Sequence, residues 1–593
     1  MRSSALLSIS ALILAACGPK PEAPPVLPTP DELRTQLAGL PFDDFVDVSF
    51  RELLRRSPET VIELGLQSQI DVGHGFLNDA SDEFDQETGA DCQVIEDLLA
   101  SYDRASLSRA QQITWDTYSW FLDDQLQQRR HADLAYPLSP ALTSTELSTQ
   151  LFFTDIQPLR TREDVEDWLA RLGKVNAKLM QVKAAVEKRA NAGIVLPRLL
   201  LDLTRDDLQF ISQSAPRDTP YYQAFASRLL GVGGVDANGA LDRAETIIRD
   251  SVIPAYDALD GTLAGLADAA PSGLGVGQLP GGDAFYLDAL RHHVTTPVTP
   301  ADLQALGESD LAAIQNELRA AFAGLGYPST DTLAQDLVRA TQEGGLVASN
   351  GVVAAYQQII DDTWGRLDQA FDLQPSTRVT VIGVPSGGFY VEASLDGSRP
   401  GAFYATENGA PQARLGFRTL AYHETIPGHH EQVGVAQDLP LPLFQRVSIF
   451  TGYVEGWALY AEWLAGDLGW YAGDPYGDIG RLQSEAFRAA RLVVDTGLHA
   501  RGWTFDQAVQ YMQDATGYST RFCQGQVIRY ASWPGQATAY WTGEVEIRAL
   551  RSRAEAAKGG AFDLKAFHHA VLSHGALPLE IMDRVAAEDL SLP

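Results

Sequence analysis

Cysteine is scarce in this chain: three residues in 593, at Cys17, Cys92 and Cys523, with no CxxC pair. That excludes a cysteine-built zinc site and a disulfide-framed scaffold. Positive charge is also short. Lys and Arg total 45 against 77 Asp and Glu, for a formal charge of −32. A folded body of that charge is excluded from binding nucleic acid or an anionic membrane surface through electrostatics. Past the N-terminus no apolar run is long enough to span a bilayer. A G-x-S-x-G elbow and a P-loop are both missing, which argues against a serine hydrolase and a nucleotide enzyme.

What is present is concentrated in Tyr422-His-Glu-Thr-Ile-Pro-Gly-His-His-Glu-Gln432, which holds three of the eleven histidines. It is nearly the H-E-x-x-H signature, in which two histidines one helical turn apart bind zinc and the intervening glutamate acts as general base. The fourth residue after His423 is Pro427, which cannot ligate. On an unbroken helix His429 lies about 240° round from His423, and His430 is nearly in line but about 10 Å along the axis. Proline disfavours helical geometry in the residue before it, and glycine tolerates unusual dihedrals. A two-residue bulge at Pro427-Gly428 brings His429 to the ligand position, the preferred reading. A three-residue bulge brings His430, which stays as the alternative. A loop of solvated histidines is the plain reading, but the apolar approach Gly416 to Tyr422 argues for a helix leading into a site.

A catalytic zinc usually takes three protein ligands. Glu455 is the candidate, a carboxylate inside the apolar helical stretch Thr451 to Glu462, where an unpaired acid is costly. The alternative is a core ion pair or cap. Glu462, two turns on, either supports a histidine from behind or is exposed. Glu424 is the expected general base.

His-Glu-x-x-Pro-Gly-His-His-x-Gln followed by Val-Glu-Gly-Trp-Ala-x-Tyr-x-Glu resembles the bacterial family called domain of unknown function 885. Further segments carry the resemblance: Ser57 to Gly65, Ser394 to Tyr404, Arg491 to His499, Pro534 to Tyr540 and Phe562 to His568. That family is in turn similar to the helical zinc peptidases of the gluzincin group. The group's third ligand is a glutamate on a later helix, and one relative's Asn-Glu-Gly-Phe-Ala resembles Val454 to Ala458. The resemblance implies a mainly α, two-lobed, zincin-like metallopeptidase fold with zinc as cofactor. It carries chemistry better than substrate.

The N-terminus reads as a lipoprotein export signal over 1–17. Arg2 precedes a short apolar stretch ending in Leu14-Ala-Ala-Cys17, which resembles a lipobox. Lipidation of Cys17 is expected to tether the protein to a membrane through a Pro-rich spacer, 18–30. Gly18 in place of aspartate favours the outer membrane, so a periplasmic or cell-surface location is expected. A Cys92–Cys523 disulfide is left open. Residues 31–593 read as a single catalytic unit, helical over 31–130, 160–230, 240–265 and 300–375. The segment 377–407 reads as strands, a small sheet beside the metal helix, and helices resume from 411.

The expected activity is hydrolysis of short peptides by metal-activated water. Alternatives are a zinc hydrolase of non-peptide amides or esters, using the same site, and a non-catalytic peptide-binding lipoprotein. Tyr540 and then His499 are candidates for stabilising the oxyanion. Arg491 and Asp495, four apart, read by default as an ion pair. Arg491 or Arg529 is the candidate for holding a peptide carboxylate. His292, His293, His568, His569 and His574 read as structural.

Overall fold

Apolar residues recur here at three- and four-residue spacing, and helix starts are marked by hydroxyl caps. Capping boxes open the helices at Thr161/Asp164, Thr299/Asp302, Thr332/Gln335 and Thr504/Gln507, where a side-chain oxygen satisfies a free backbone N–H and the third residue reciprocates. The computed structural model describes residues 25–141, 144–447 and 450–593 and is mainly helical. The lipobox and Cys17 lie outside the described residues, as does the first part of the spacer. Among the described residues no helix is long and apolar enough to cross a membrane.

Five short strands interrupt the helices: β1 Leu346–Val347, β2 Thr380–Val384, β3 Phe389–Val391, β4 Ala402–Thr406 and β5 Gln412–Ala413. β1 and β5 pair antiparallel, and β4 lies between β2, parallel to it, and β3, antiparallel. The expected small sheet is therefore present. The strand expected at Thr377 to Ile382 is shifted to 380–384. The helices expected over 300–375 are Pro300–Gly324, Leu333–Glu343 and Val352–Trp364, separated by Gly-rich and Pro-containing connections.

Among the described residues four apolar clusters share the helices that carry the motifs, the smallest formed by Tyr422, Ala465, Trp470 and Tyr471. The first joins Phe45, Ile95 and Tyr118 to Phe417, Trp457 and Phe567. In the second, Phe153, Trp168 and Tyr221 pack with Phe487, Val494 and Tyr530. Leu311 and Phe322 meet Leu482, Leu459 and Tyr540 in the third. The long helix Pro475–Arg501 serves the second and third cores and is buried nearly all round, as an internal helix must be. The glutamate helix Thr451–Asp467 crosses the tyrosine helix Ala539–Lys558 almost backbone to backbone. A Cβ on Gly456 would lie 2.5 Å from Gly543 Cα, and one on Gly543 would lie 2.0 Å from Gly452 O. Only glycine permits that crossing, which sets Glu455 near Tyr540.

Cys92 sits in the first core and Cys523 in the second, both buried and both free, so the open disulfide does not form. Burial pushes each thiol up to about 11.

A candidate metal centre

The histidine motif folds as two helices, Phe417–Glu424 and His429–Asp438, with an irregular turn between them. The turn is packed onto the end of the first helix. His430 N–H and Thr425 O bond at 3.0 Å, and Gln432 N–H reaches Gly428 O at 3.1 Å. A Cβ on Gly428 would fall 2.0 Å from His423 O and 2.3 Å from Tyr422 O, so the close approach requires glycine. Trp457 Nε1 donates to Pro427 O at 2.9 Å and ties the turn to the glutamate helix.

This turn makes up the missing periodicity. The His423 and His429 rings meet at 4.8 Å between centroids. Each Nε2 lies 3.5 Å from Oε2 of Glu455, and the ligand atoms of the three residues all fall within 4.8 Å of one another. Atoms each about 2 Å from a tetrahedral zinc lie roughly 3.3 Å apart, close to the two 3.5 Å separations from Glu455. Glu455 Oε2 is buried and accepts no hydrogen bond. A buried carboxylate oxygen with no donor is costly, and a cation between it and the two imidazoles would remove that cost.

Electrostatics agree with the geometry. Burial alone would pull the His423 imidazole down, but Glu455, Glu462 and Glu424 beside it push it to about 10. Burial alone would raise Glu455; His423 and His429 hold it well below the usual carboxylate range. Burial raises Glu424, with the two histidines offsetting part of the effect. Three buried carboxylates around two imidazoles make a site that favours positive charge.

Glu462 takes the supporting place expected of it. Its Oε1 lies 2.8 Å from His423 Nδ1, which orients the ring and leaves Nε2 directed at the centre. His430 is not a ligand. Its Nε2 bonds Thr377 O at 2.8 Å and its Nδ1 meets the Tyr390 hydroxyl at 3.0 Å, so it fastens the motif to the sheet. Of the two histidines between which the choice was left open, His429 is the one that lies with His423 and Glu455.

Tyr540 stands beside the centre, its ring parallel to that of His423 at 6.5 Å and 12°. Arg529 Nη2 at 2.8 Å and Gln536 Nε2 at 3.2 Å both donate to its hydroxyl oxygen. Its own hydrogen has no acceptor among these contacts and is left to donate. His499 does not join the site, which corrects its placement. The Val276 N–H donates to its Nδ1 at 3.2 Å and its Nε2 bonds Tyr530 O at 3.0 Å. Both nitrogens are committed to the main chain, and burial pulls the ring down to about 4.

The Arg491–Asp495 ion pair is likewise absent. Asp495 instead accepts from the Tyr286 hydroxyl at 2.6 Å and from Gly535 N–H at 3.2 Å, anchoring the turn that leads to Tyr540. Arg491 Nε turns to the Tyr530 hydroxyl at 2.9 Å. His568 is structural as expected, with Nδ1 on Ala370 O and Nε2 on Tyr460 Oη, both at 2.9 Å. His292, His569 and His574 pair with Asp124, Asp372 and Asp589.

A cleft of about 220 Å³ opens against the centre, lined by Tyr390, Glu392, His429, Gln432, Val447 and Glu455 among others. β3, an outer strand of the sheet, supplies Tyr390 to it. Sequence reasoning missed Trp457, Tyr390 and Gln432. Trp457 and Gln432 carried a signal, since each stands in one of the two motif strings, whereas Tyr390 did not.

Comparison with known proteins places the chain. The model of the family described as "Bacterial protein of unknown function (DUF885)" matches residues 58–585. The chain belongs to that family. Its fold is shared with two solved structures. The first, named "putative lipoprotein" from Colwellia psychrerythraea, is 26% identical with a TM-score of 0.86, covering 94% of this chain and 99% of that one. The second, a "putative lipoprotein of unknown function" from Shewanella oneidensis, is 18% identical with a TM-score of 0.69, covering 92% and 99%, and speaks for the fold alone. No curated protein matches this DUF885 chain.

Proposed function

We propose that this DUF885 protein is a zinc-dependent peptidase of short peptides, held at a membrane by a lipid on Cys17. The observation that carries the reading is the convergence of His423 Nε2, His429 Nε2 and Glu455 Oε2, with Glu424 beside them and its carboxylate in no ion pair or hydrogen bond among the described residues. Two imidazoles and one carboxylate are a donor set that suits zinc and leaves a position for a reactant. Zinc bound there supplies Lewis acidity toward water and the scissile carbonyl.

This chain's own residues do the rest. Glu424, whose burial raises it from its ordinary value, accepts the proton of the attacking water and returns it to the leaving nitrogen. Tyr540 turns its free hydroxyl hydrogen to the carbonyl oxygen as charge develops on it. Glu462 fixes the His423 ring. The outer edge of β3, beside the cleft, offers an extended peptide backbone partners. The tether reading rests on Leu14-Ala-Ala-Cys17 and is supported by the name of the Colwellia psychrerythraea neighbour. The outer membrane is favoured by Gly18.

The test is elemental analysis of the full chain, purified in detergent without chelators, with His423→Ala and Glu424→Gln beside it. About one zinc per chain is expected, lost in His423→Ala and kept in Glu424→Gln. Hydrolysis of a mixed peptide library should fall roughly 10²- to 10⁴-fold in Glu424→Gln. A wild-type chain that neither carries zinc nor takes it up refutes the reading.

A further inference from the structure

Positive charge gathers around Tyr540, beside the candidate metal centre. Arg488 and Arg491, one turn apart on the long helix, and Arg529 on the helix Thr520–Ser532 converge on the Tyr540 ring, at 5.4, 4.4 and 5.9 Å from its centroid. Arg491 is only 3% exposed and the other two are half-buried. Among the described residues none of the three has an Asp or Glu oxygen within 4.0 Å. Their protein partners are neutral: the Tyr530 hydroxyl and Gln526 for Arg491, Gln536 and the Tyr540 hydroxyl for Arg529. Arg491 Nη1 and Arg488 Nε are buried and bond nothing. By contrast Arg481, two turns earlier on the same helix, is closed by Asp478 and Glu485. Guanidiniums gathered in the interior repel one another and lose hydration, so a cluster of three with free N–H groups is built for an anion. The planar fork suits a carboxylate, which it holds through two hydrogen bonds.

We infer that Arg488, Arg491 and Arg529 bind the C-terminal carboxylate of the substrate, making the protein an exopeptidase that acts from the C-terminal end. This rests on the peptidase reading above and specifies its substrate class. The spacing sets a limit. Arg491 Cζ and the His423 ring centre lie 4.4 and 6.5 Å from the Tyr540 ring centre, so they are no further apart than about three extended residues span. The product released from the C-terminal end is therefore one to three residues long. Arg529 has a second part in this arrangement, since it also holds the Tyr540 hydroxyl. A bound carboxylate and the oxyanion donor are thereby coupled through one side chain.

Binding and turnover are measured separately. Titration calorimetry uses the full chain carrying Glu424→Gln, with N-acetyl-dialanine as the free acid, as the carboxamide, and an amidated analogue with a glutamate side chain. The acid is expected to bind at least tenfold more tightly than the amide. Arg488→Gln and Arg529→Gln, chosen because these residues are half-buried, should each remove most of that preference, and Arg529→Lys should restore part of it. Equal affinity for acid and amide overturns the inference. Tight binding of the amidated glutamate analogue also overturns it, by assigning the anion to a side chain. Hydrolysis by the zinc-loaded wild type is then scored on acid and amide peptides. Acid-selective binding without hydrolysis of any peptide sinks the peptidase reading and upholds the anion site. Equal hydrolysis of acid and amide peptides upholds the peptidase and sinks the anion site.

Discussion

Buried charge is handled in two ways in this molecule. In the N-terminal half part of it is closed into pairs, although Glu146 is buried with only the Ser144 hydroxyl beside it. Arg56 meets Asp91 at 2.7 Å and Lys178 meets Glu59 at 2.6 Å, with all four side chains close to fully buried. Around Tyr540 the clusters stay open. Carboxylates outnumber cations around His423, and the guanidiniums around Tyr540 hydrogen-bond only neutral groups. A closed pair satisfies its own charges and contributes to folding alone. An open cluster keeps an unsatisfied potential aimed at whatever enters, which is what binding a metal or a charged substrate demands.

Predictions that break or sharpen this contrast run from large to small. Tyr540→Phe keeps the ring against His423 and Arg491 and removes only the hydroxyl. A fall in kcat of roughly 10²- to 10³-fold, with KM little changed, is expected if the hydroxyl serves the oxyanion; steady-state kinetics on one peptide decides it. Arg56→Met opens a closed pair and leaves Asp91 buried and unpartnered, so unfolding free energy should fall by about 3–5 kcal/mol. Activity per folded molecule should not change, since Arg56 lies outside the site. Urea titration beside a specific-activity assay measures both.

Arg491→Met removes a buried charge that has no counter-ion. It forfeits hydrogen bonds worth about 1 kcal/mol each and gains relief from the desolvation that already pulls this guanidinium down. Its stability cost should therefore be well below that of Arg56→Met in the same titration. A cost as large as that of Arg56→Met would mean that the arginine cluster is a structural element.

The last effect is a change of slope with pH. Burial raises Asp495 to about 7, although Tyr286 and Gly535 donate to it. Its folded pKa is above the unfolded value near 3.8, so the folded state keeps a proton that the unfolded state releases. Stability from this group is therefore full below about pH 4 and is lost as pH rises toward 7. Asp495→Asn cannot titrate, so thermal melts between pH 4.5 and 7 should show a shallower decline than the wild type. Parallel melting curves would remove the group from the pH dependence.

Much of the candidate centre was legible in the chain. Glutamate inside an apolar helix is expensive enough to announce Glu455 and Glu462, and the Pro-Gly insertion announced a bulge. The bulge length was not legible, because it depends on Trp457 and on how closely Gly428 rides on the carbonyls of the preceding helix. His499 misled because a histidine in a family-like segment looks the same whether its nitrogens are free or spent on Val276 and Tyr530. Helical spacing misled in the same way at Arg491 and Asp495. Positions four apart can meet, but each found partners on other helices.

Sequence by itself determined the helical character, the small sheet before the motif, the residue types able to hold a metal, and membership in DUF885. These follow from local periodicity, from capping chemistry and from a motif written in consecutive residues. Only tertiary structure decided that His429 and not His430 faces Glu455, that the two cysteines lie in separate cores, and that three arginines from two helices gather on Tyr540. Those outcomes depend on contacts between segments far apart in the chain, and no local pattern encodes the distances between them.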